Sequence, residues 1–308
     1  MKLHQHADFR DFINIVAKEK AIRDVIIEKD YWVTVALHAL HHSEFKDCFI
    51  FKGGTSLSKG WNLIDRFSED IDLLLIGDEL GKSKKRDLMK RIEAFIGGLD
   101  GLEFDPDNRD NRSGPHSRTS CFKYKVHTSG AFGSILPYIK IEMGFRGGSE
   151  PNISRKIQSY LGEVFESKGQ EHIAINIKAI ELNLLAPQRT LVEKLYAIFS
   201  AYHSNSIVPK LRHYYDVYKL LELKDVADYI GTSEYLELKK NVEEFSIENW
   251  PDSPVPKMNE LQITLAFNPS DDIRNQLNSA YNSSDLFYGT KPTFDEIIIR
   301  IRSFQSRF

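Results

Sequence analysis

The chain of 308 residues holds only two cysteines, Cys48 and Cys121, which cannot make a disulfide framework and form no Cys-x-x-Cys metal pair. Low cysteine usage fits a reducing cytosol. No apolar run approaches the ~18 residues of a membrane span. The opening stretch MKLHQHADFRDFINIV mixes charge with apolar residues and has no unbroken hydrophobic core of a signal peptide. The expectation is a cytoplasmic protein with no membrane partner. A charge excess is missing as well: 41 basic against 44 acidic residues leave a net charge of −3, so the molecule as a whole has no electrostatic claim on nucleic acid. Ten histidines include no His-Glu-x-x-His motif of the zinc hydrolases, and adjacent His41 and His42 diverge by about 100° on a helix. Ser56 and Ser68 lack evident His and Asp escorts for acyl transfer. A P-loop is absent too, because Lys59 precedes Gly60 with no hydroxyl after it.

What is present begins with pattern. DFRDFINIVAKEKAI and KDYWVTVALHALHH repeat apolar residues three and four apart and read as helices. CFIFKGG reads as a short strand ended by Gly53 and Gly54, TSLSKGWNLI as a short helix, and DIDLLLI as a second strand. Residues 81–99 are helical again, with Lys82, Lys84, Lys85, Arg86, Lys90 and Arg91 gathered there. That cluster is either a solvated helix face or a surface for a polyanion. Asp105 to Ser120 is rich in loop formers. CFKYKV, LPYIKIEMGF and HIAINIKAIEL read as strands, and helices fill most of the remainder. The pattern divides the chain near residue 180 into a strand-and-helix half and a helical half.

One stretch raises a chemical question. In FKGGTSLSKGWNLIDRFSEDIDLLL, strand alternation projects Asp70 and Asp72 together while Ile71 and Leu73 turn to the core. Two carboxylates side by side repel, and either a half-solvated strand edge or a divalent cation accommodates them. Upstream, Gly53 and Gly54 let the backbone approach a ligand, and a helix starting at Thr55 and Ser56 would offer N–H groups to a phosphate. An ordinary strand-turn-helix junction explains the same residues. Lys59 lies one turn into that helix, either solvated or reaching the same anion. In YIKIEM, Lys140 and Glu142 share the face opposite Ile139, Ile141 and Met143, so Glu142 is either a surface strand residue or a third carboxylate. In RTLVEKLYAIF, Leu191, Leu195, Ile198 and Phe199 form an apolar stripe with Lys194 at its edge. In RHYYDVYKL the spacing leaves Arg212, Asp216 and Lys219 on a polar side, with Arg212 and Asp216 four apart.

GGTSLSKG followed by RFSEDIDLLL resembles the signature of the nucleotidyltransferase superfamily related to DNA polymerase β, and most closely its AbiEii/AbiGii toxin branch. EKDYWVTVAL, YIKIEM, LAPQRTLVEKLYAI and RHYYDVYKL resemble family segments in the same order, so the likeness spans roughly residues 25–222. It implies an α/β (α+β) fold: a nucleotidyltransferase core at 1–180, with a mixed sheet flanked by helices, then a mainly helical domain at 181–308 that contributes active-site residues. It implies Mg²⁺ bound by Asp70, Asp72 and Glu142, phosphates cradled by Gly53, Gly54, Thr55 and Ser56, and Lys59, Arg66, Ser68 and Arg212 as further contacts or supports. Lys194 would point at the triphosphate, and Asp216 would join the active site. The implied reaction moves a nucleoside monophosphate from an NTP, GTP or another, to a hydroxyl acceptor. The implied setting is the toxin of a toxin–antitoxin or phage-defence pair, with a cognate antitoxin as partner and RNA, tRNA in particular, as acceptor. Binding of NTP or RNA without transfer, and nucleotidylation of a protein or small molecule, are the alternatives.

Overall fold

The computed structural model describes residues 2–308 apart from Glu69, Asp78, Pro115, Arg146, Trp250, Pro251, Met258, Gly289 and Thr290. The two periodic N-terminal stretches fold as helices α1 (Phe9–Lys20) and α2 (Asp24–His41). Helical spacing buries Phe9, Ile13 and Val16 of α1, and Ala21 in the left-handed region closes it. Next come β1 (Phe49–Lys52), helix α3 (Gly53–Lys59), β2 (Asp70–Leu75) and helix α4 (Lys82–Gly97). Strands β3 (Leu102–Phe104), β4 (Arg112–Ser113), β5 (Ser117–Tyr124), β6 (Tyr138–Gly144) and β7 (Asn152–Ile157) lead to helix α5 (Tyr160–Ser167) and β8 (Ile180–Leu185).

These strands form one mixed sheet in the order β3-β5-β6-β2-β1-β8-β7, with β4 paired to β5. β2 is central, antiparallel to β1 and parallel to β6. Its inward residues Ile71 and Leu73 join Phe51, Ile139, Ile141 and Met143 in the core, together with Tyr31 and Trp32 of α2. The fold is thus α/β, a mixed sheet flanked by helices. Two details depart from the sequence pattern. The stretch 105–120 carries β4 and the start of β5, because its turn residues close a hairpin instead of a loop. HIAINIKAIEL is strand only from Ile180; Glu171–Ile173 and Ile175–Ile177 are single 3₁₀ turns.

α2 is buried on nearly every side, Val25 to Leu37 without a break. Three consecutive charged residues lie inside it, and each is satisfied by a different segment. Glu28 accepts the N–H groups of His127 at 2.8 Å and Thr128 at 3.0 Å. Lys29 donates to the carbonyl of Leu136 at 2.7 Å. Asp30 pairs with Lys59 and accepts the Tyr160 N–H at 2.8 Å. Burial pushes the Asp30 carboxyl up, and Lys59 opposes the push.

Contact density separates two units, Met1–Asn62 with Arg66–Arg146 and Asn152–Leu184, and Leu63–Asp65 with Gly147–Pro151 and Leu185–Phe308. The second unit holds α6 (Pro187–His203), α7 (Leu211–Leu220), α8 (Lys224–Tyr229), α9 (Ser233–Asn249), α10 (Glu260–Ile263), α11 (Asp271–Ser283) and α12 (Phe294–Gln305). Pro187 starts α6 where a missing N–H costs nothing. Leu191, Leu195, Tyr214, Val217, Leu277, Tyr281, Phe294 and Ile297 are buried at its centre. The buried Tyr214 hydroxyl is satisfied by the Ala266 carbonyl at 2.6 Å. Arg189, also buried, donates to the Glu150 carbonyl at 2.7 Å and fixes the Gly147–Pro151 segment.

Candidate active site

Alternation along β2 sets Asp70 and Asp72 on the face opposite Ile71 and Leu73. Register then assembles the neighbours: on β6, Lys140 lies opposite Asp70 and Glu142 opposite Asp72. On β1, Lys52 lies opposite Asp72. The Lys140 ammonium stands 3.1 Å from Oδ2 of Asp70 and 3.0 Å from Oε1 of Glu142, bridging two strands. Burial alone would lower the Lys140 pKa, but the two carboxylates outweigh it and hold it above the ordinary lysine value. Oδ1 of Asp70 is buried with no hydrogen-bond partner.

The glycine turn is built around these acids. Gly53 has φ +78, and a Cβ there would lie 1.9 Å from Oδ2 of Asp72. Only a residue without a side chain admits the carboxylate over the turn. A Cβ at Gly54 would meet Oγ of Ser68 at 2.6 Å and Nη2 of Arg66 at 2.8 Å. Arg66 is buried and donates to the Phe67 carbonyl at 3.2 Å, so it braces the approach to β2. Gly53, Gly54, Asp72, Ser68 and Arg66 are therefore in one neighbourhood.

Other residues read as phosphate contacts are placed differently. α3 begins at Gly53, earlier than the Thr55 start read from the pattern, and no side chain caps it at Lys52. The Thr55 hydroxyl donates to the Asp70 carbonyl at 2.5 Å and ties α3 to the start of β2, while the Ser56 hydroxyl donates to the Gly53 carbonyl at 2.9 Å and closes the turn on itself. Lys59 is buried: its ammonium lies 2.5 Å from Oδ1 of Asp30 and donates to the Gln158 carbonyl at 3.2 Å. That corrects Lys59 from anion contact to internal brace, since its partner Asp30 sits in α2, beyond any local pattern.

In the second unit Lys194 and Asp216 form a buried pair at 2.7 Å, with side chains 8% and 0% exposed. Helical spacing placed Asp216 on a polar side; it faces inward because α6 supplies an ammonium there. Arg212 is half-buried on α7. His213, which the motifs did not single out, has Nδ1 3.5 Å from Nζ of Lys194.

Among the described residues, no three His, Cys, Asp or Glu side chains gather closely enough to hold a metal ion. Asp70, Asp72 and Glu142 share a face, with the Lys140 ammonium between Asp70 and Glu142. The donor set is nevertheless all oxygen, which suits a hard divalent cation, and Oδ1 of Asp70 is an unused acceptor. On these grounds the residues fit such an ion.

The sequence model of the nucleotidyl transferase AbiEii toxin, of type IV toxin–antitoxin systems, matches residues 35–298. The chain belongs to the AbiEii family. No curated protein matches it. The AbiEii match makes the protein a nucleotidyltransferase of a toxin–antitoxin system, a class that takes NTP substrates, typically with a divalent metal, and implies a cognate antitoxin. It also runs past the motifs near residue 222, so the helices up to 298 belong to the AbiEii pattern as well. Among the described residues, no helix is long and apolar enough to cross a membrane.

Sequence reasoning missed three features of this AbiEii chain. Lys140 was read only as a face marker, although a lysine two residues before a candidate acid on one strand face is a local signal for an ion pair. His213 and the Glu28-Lys29-Asp30 run depend on partners far along the chain and had no local signal.

Proposed function

We propose that this nucleotidyltransferase moves a nucleoside monophosphate from an NTP, GTP or another, to a hydroxyl of an RNA acceptor, tRNA in particular, in a Mg²⁺-dependent reaction. In this reading the protein is the toxin of a phage-defence pair. The observation that carries the reading is the fit of Asp72 over Gly53, beside Asp70 and Glu142 on one face. The acceptor oxygen bonds to the α-phosphorus, the bond from that phosphorus to the β-bridging oxygen breaks, and pyrophosphate leaves. Asp70, Asp72 and Glu142 would hold Mg²⁺, which screens phosphate charge and lowers the pKa of the incoming hydroxyl. In this reading the backbone of the Gly53–Gly54 turn cradles the triphosphate, the space beside the two glycines being taken by Asp72, Ser68 and Arg66, and Arg66 and Ser68 keep the turn in place. Glu142, its side chain 45% exposed, would either help hold the Mg²⁺ ion or accept the hydroxyl proton. For Lys194 and Asp216 we assign a role in the same reaction, supported by the cost of keeping a charged pair buried where apolar residues would pack as well.

RNA is favoured over a small acceptor by the exposed basic face of α4, where Lys82, Lys84, Arg86 and Lys90 reach solvent, and by exposed Arg109 and Arg112. Arg118 is excluded from that set, being paired with Glu93 at 2.7 Å. The test incubates the protein with each α-³²P-labelled NTP, Mg²⁺, total tRNA and cell protein, and locates the label. Label in tRNA that disappears with Asp70→Ala supports the reading. Label in protein moves the acceptor, and NTP binding with no label anywhere points to sequestration.

A further inference from the structure

We propose that Lys140 is the resident counter-cation of the carboxylate face, an ammonium that holds Asp70 and Glu142 together and yields its place to an incoming divalent cation. The inference rests on the reading of Asp70, Asp72 and Glu142 as the metal-holding set. Three observations support it. Parallel register puts Lys140 opposite Asp70 and on the same face of β6 as Glu142. One ammonium lies at 3.1 and 3.0 Å from carboxylates on two different strands, the position between ligands that a shared cation would take. Oδ1 of Asp70 has no partner although it is buried, so the ammonium leaves part of the acceptor capacity unused.

Without Lys140, carboxylates on adjacent strands would repel across the face. A single positive charge offsets that repulsion; a doubly charged ion does so more strongly and takes more oxygens. Lysine carries its charge on a flexible stem with rotatable donors, so the head group can leave while the stem stays. The side chain is 20% exposed, which gives the head group a direction in which to move. Ion and ammonium also repel each other, so Lys140 sets cation affinity below what the acids alone would give. A lysine that only stiffened the strand would act in the opposite sense, since removing it would loosen both carboxylates and weaken binding.

The test uses Mn²⁺ as probe on the full chain without nucleotide, with free Mn²⁺ read by electron paramagnetic resonance. Lys140→Met binds Mn²⁺ at least about tenfold tighter than wild type, the scale of one removed charge at a half-screened site, and Lys140→Arg restores the wild-type value. Lys140→Met that is folded by its melting curve and binds Mn²⁺ no tighter overturns the inference. A measurement on the unaltered chain guards against misfolding: the ¹⁵Nζ resonance of Lys140 shifts when Mg²⁺ is added, and a resonance that stays in place at saturating Mg²⁺ also overturns it. Asp72→Asn separates the two levels of argument. If it leaves Mn²⁺ binding intact, the metal-holding set itself is wrong and the Lys140 inference falls with it. If it abolishes binding while Lys140→Met fails to tighten it, only the role of Lys140 is lost.

Discussion

Gly53→Ala isolates the contact on which the proposed chemistry depends. A methyl at residue 53 would sit 1.9 Å from Oδ2 and 2.7 Å from Cγ of Asp72, inside the 3.0 Å that real Cβ contacts keep. The carboxylate must therefore retreat by about 1 Å, and a displacement of that size near reacting atoms is worth on the order of a hundredfold in rate. Holding alanine at φ +78 adds about 1–2 kcal/mol of backbone strain, a fall of a few degrees in melting temperature for a chain of this size. The expected variant is folded, slightly less stable and about a hundredfold slower. Initial rates of label transfer from α-³²P-NTP and a thermal melt measure both effects. Gly81→Ala is the control, because nothing lies within 4 Å of a Cβ there and its φ is −64. A folded Gly53→Ala protein with the wild-type rate would refute the claim that this turn places Asp72 for catalysis.

Other outcomes follow from the buried charges. Lys194→Met strands Asp216 without its ammonium and lowers stability in urea by about 3–5 kcal/mol, and a double Lys194→Met, Asp216→Leu replacement recovers most of that loss. Lys59→Met destabilises by a similar ~3–5 kcal/mol, by leaving Asp30 unpaired, yet leaves NTP affinity unchanged in equilibrium binding. His38 lies among His41 and His42 at the end of α2, and burial, then His42 and His41, pushes its pKa down to about 4 from 6.5. Above pH 6.5 its contribution to stability is complete; as pH falls toward 4 the unfolded chain takes up a proton that the folded chain refuses, and stability is lost. Melting curves across that range show a loss on the order of 1–2 kcal/mol after allowance for partial exposure, and His38→Leu flattens the dependence.

The strand alternation was legible because it is local. Asp70 and Asp72 opposite Ile71, and Glu142 opposite Ile141, follow from a two-residue period that needs no knowledge of neighbours. The apolar stripe of α6 is legible for the same reason. What could not be read was the partner of each charge. Asp216 looked solvent-facing from its own helix, yet Lys194 of another helix draws it inside. Lys59 looked poised for an anion, yet Asp30 of α2 claims it. Thr55 and Ser56 have the composition of a phosphate loop, but their hydroxyls reach the nearest carbonyls first. The hairpin of β4 and β5 was hidden because its residues are turn formers whichever way the chain runs.

The consecutive run Glu28-Lys29-Asp30 has a mechanical implication. Successive residues on a helix point about 100° apart, so one turn of α2 clamps three segments from three directions: His127–Thr128, Leu136, and Lys59 with Tyr160. A one-residue insertion between this turn and the buried Tyr31–Leu37 would turn all three clamps about 100° relative to the face that packs in the core, whereas an insertion after His41 would leave them untouched. Tolerance to added residues should therefore change abruptly across this helix, making α2 the spindle on which the surrounding loops keep their angular settings.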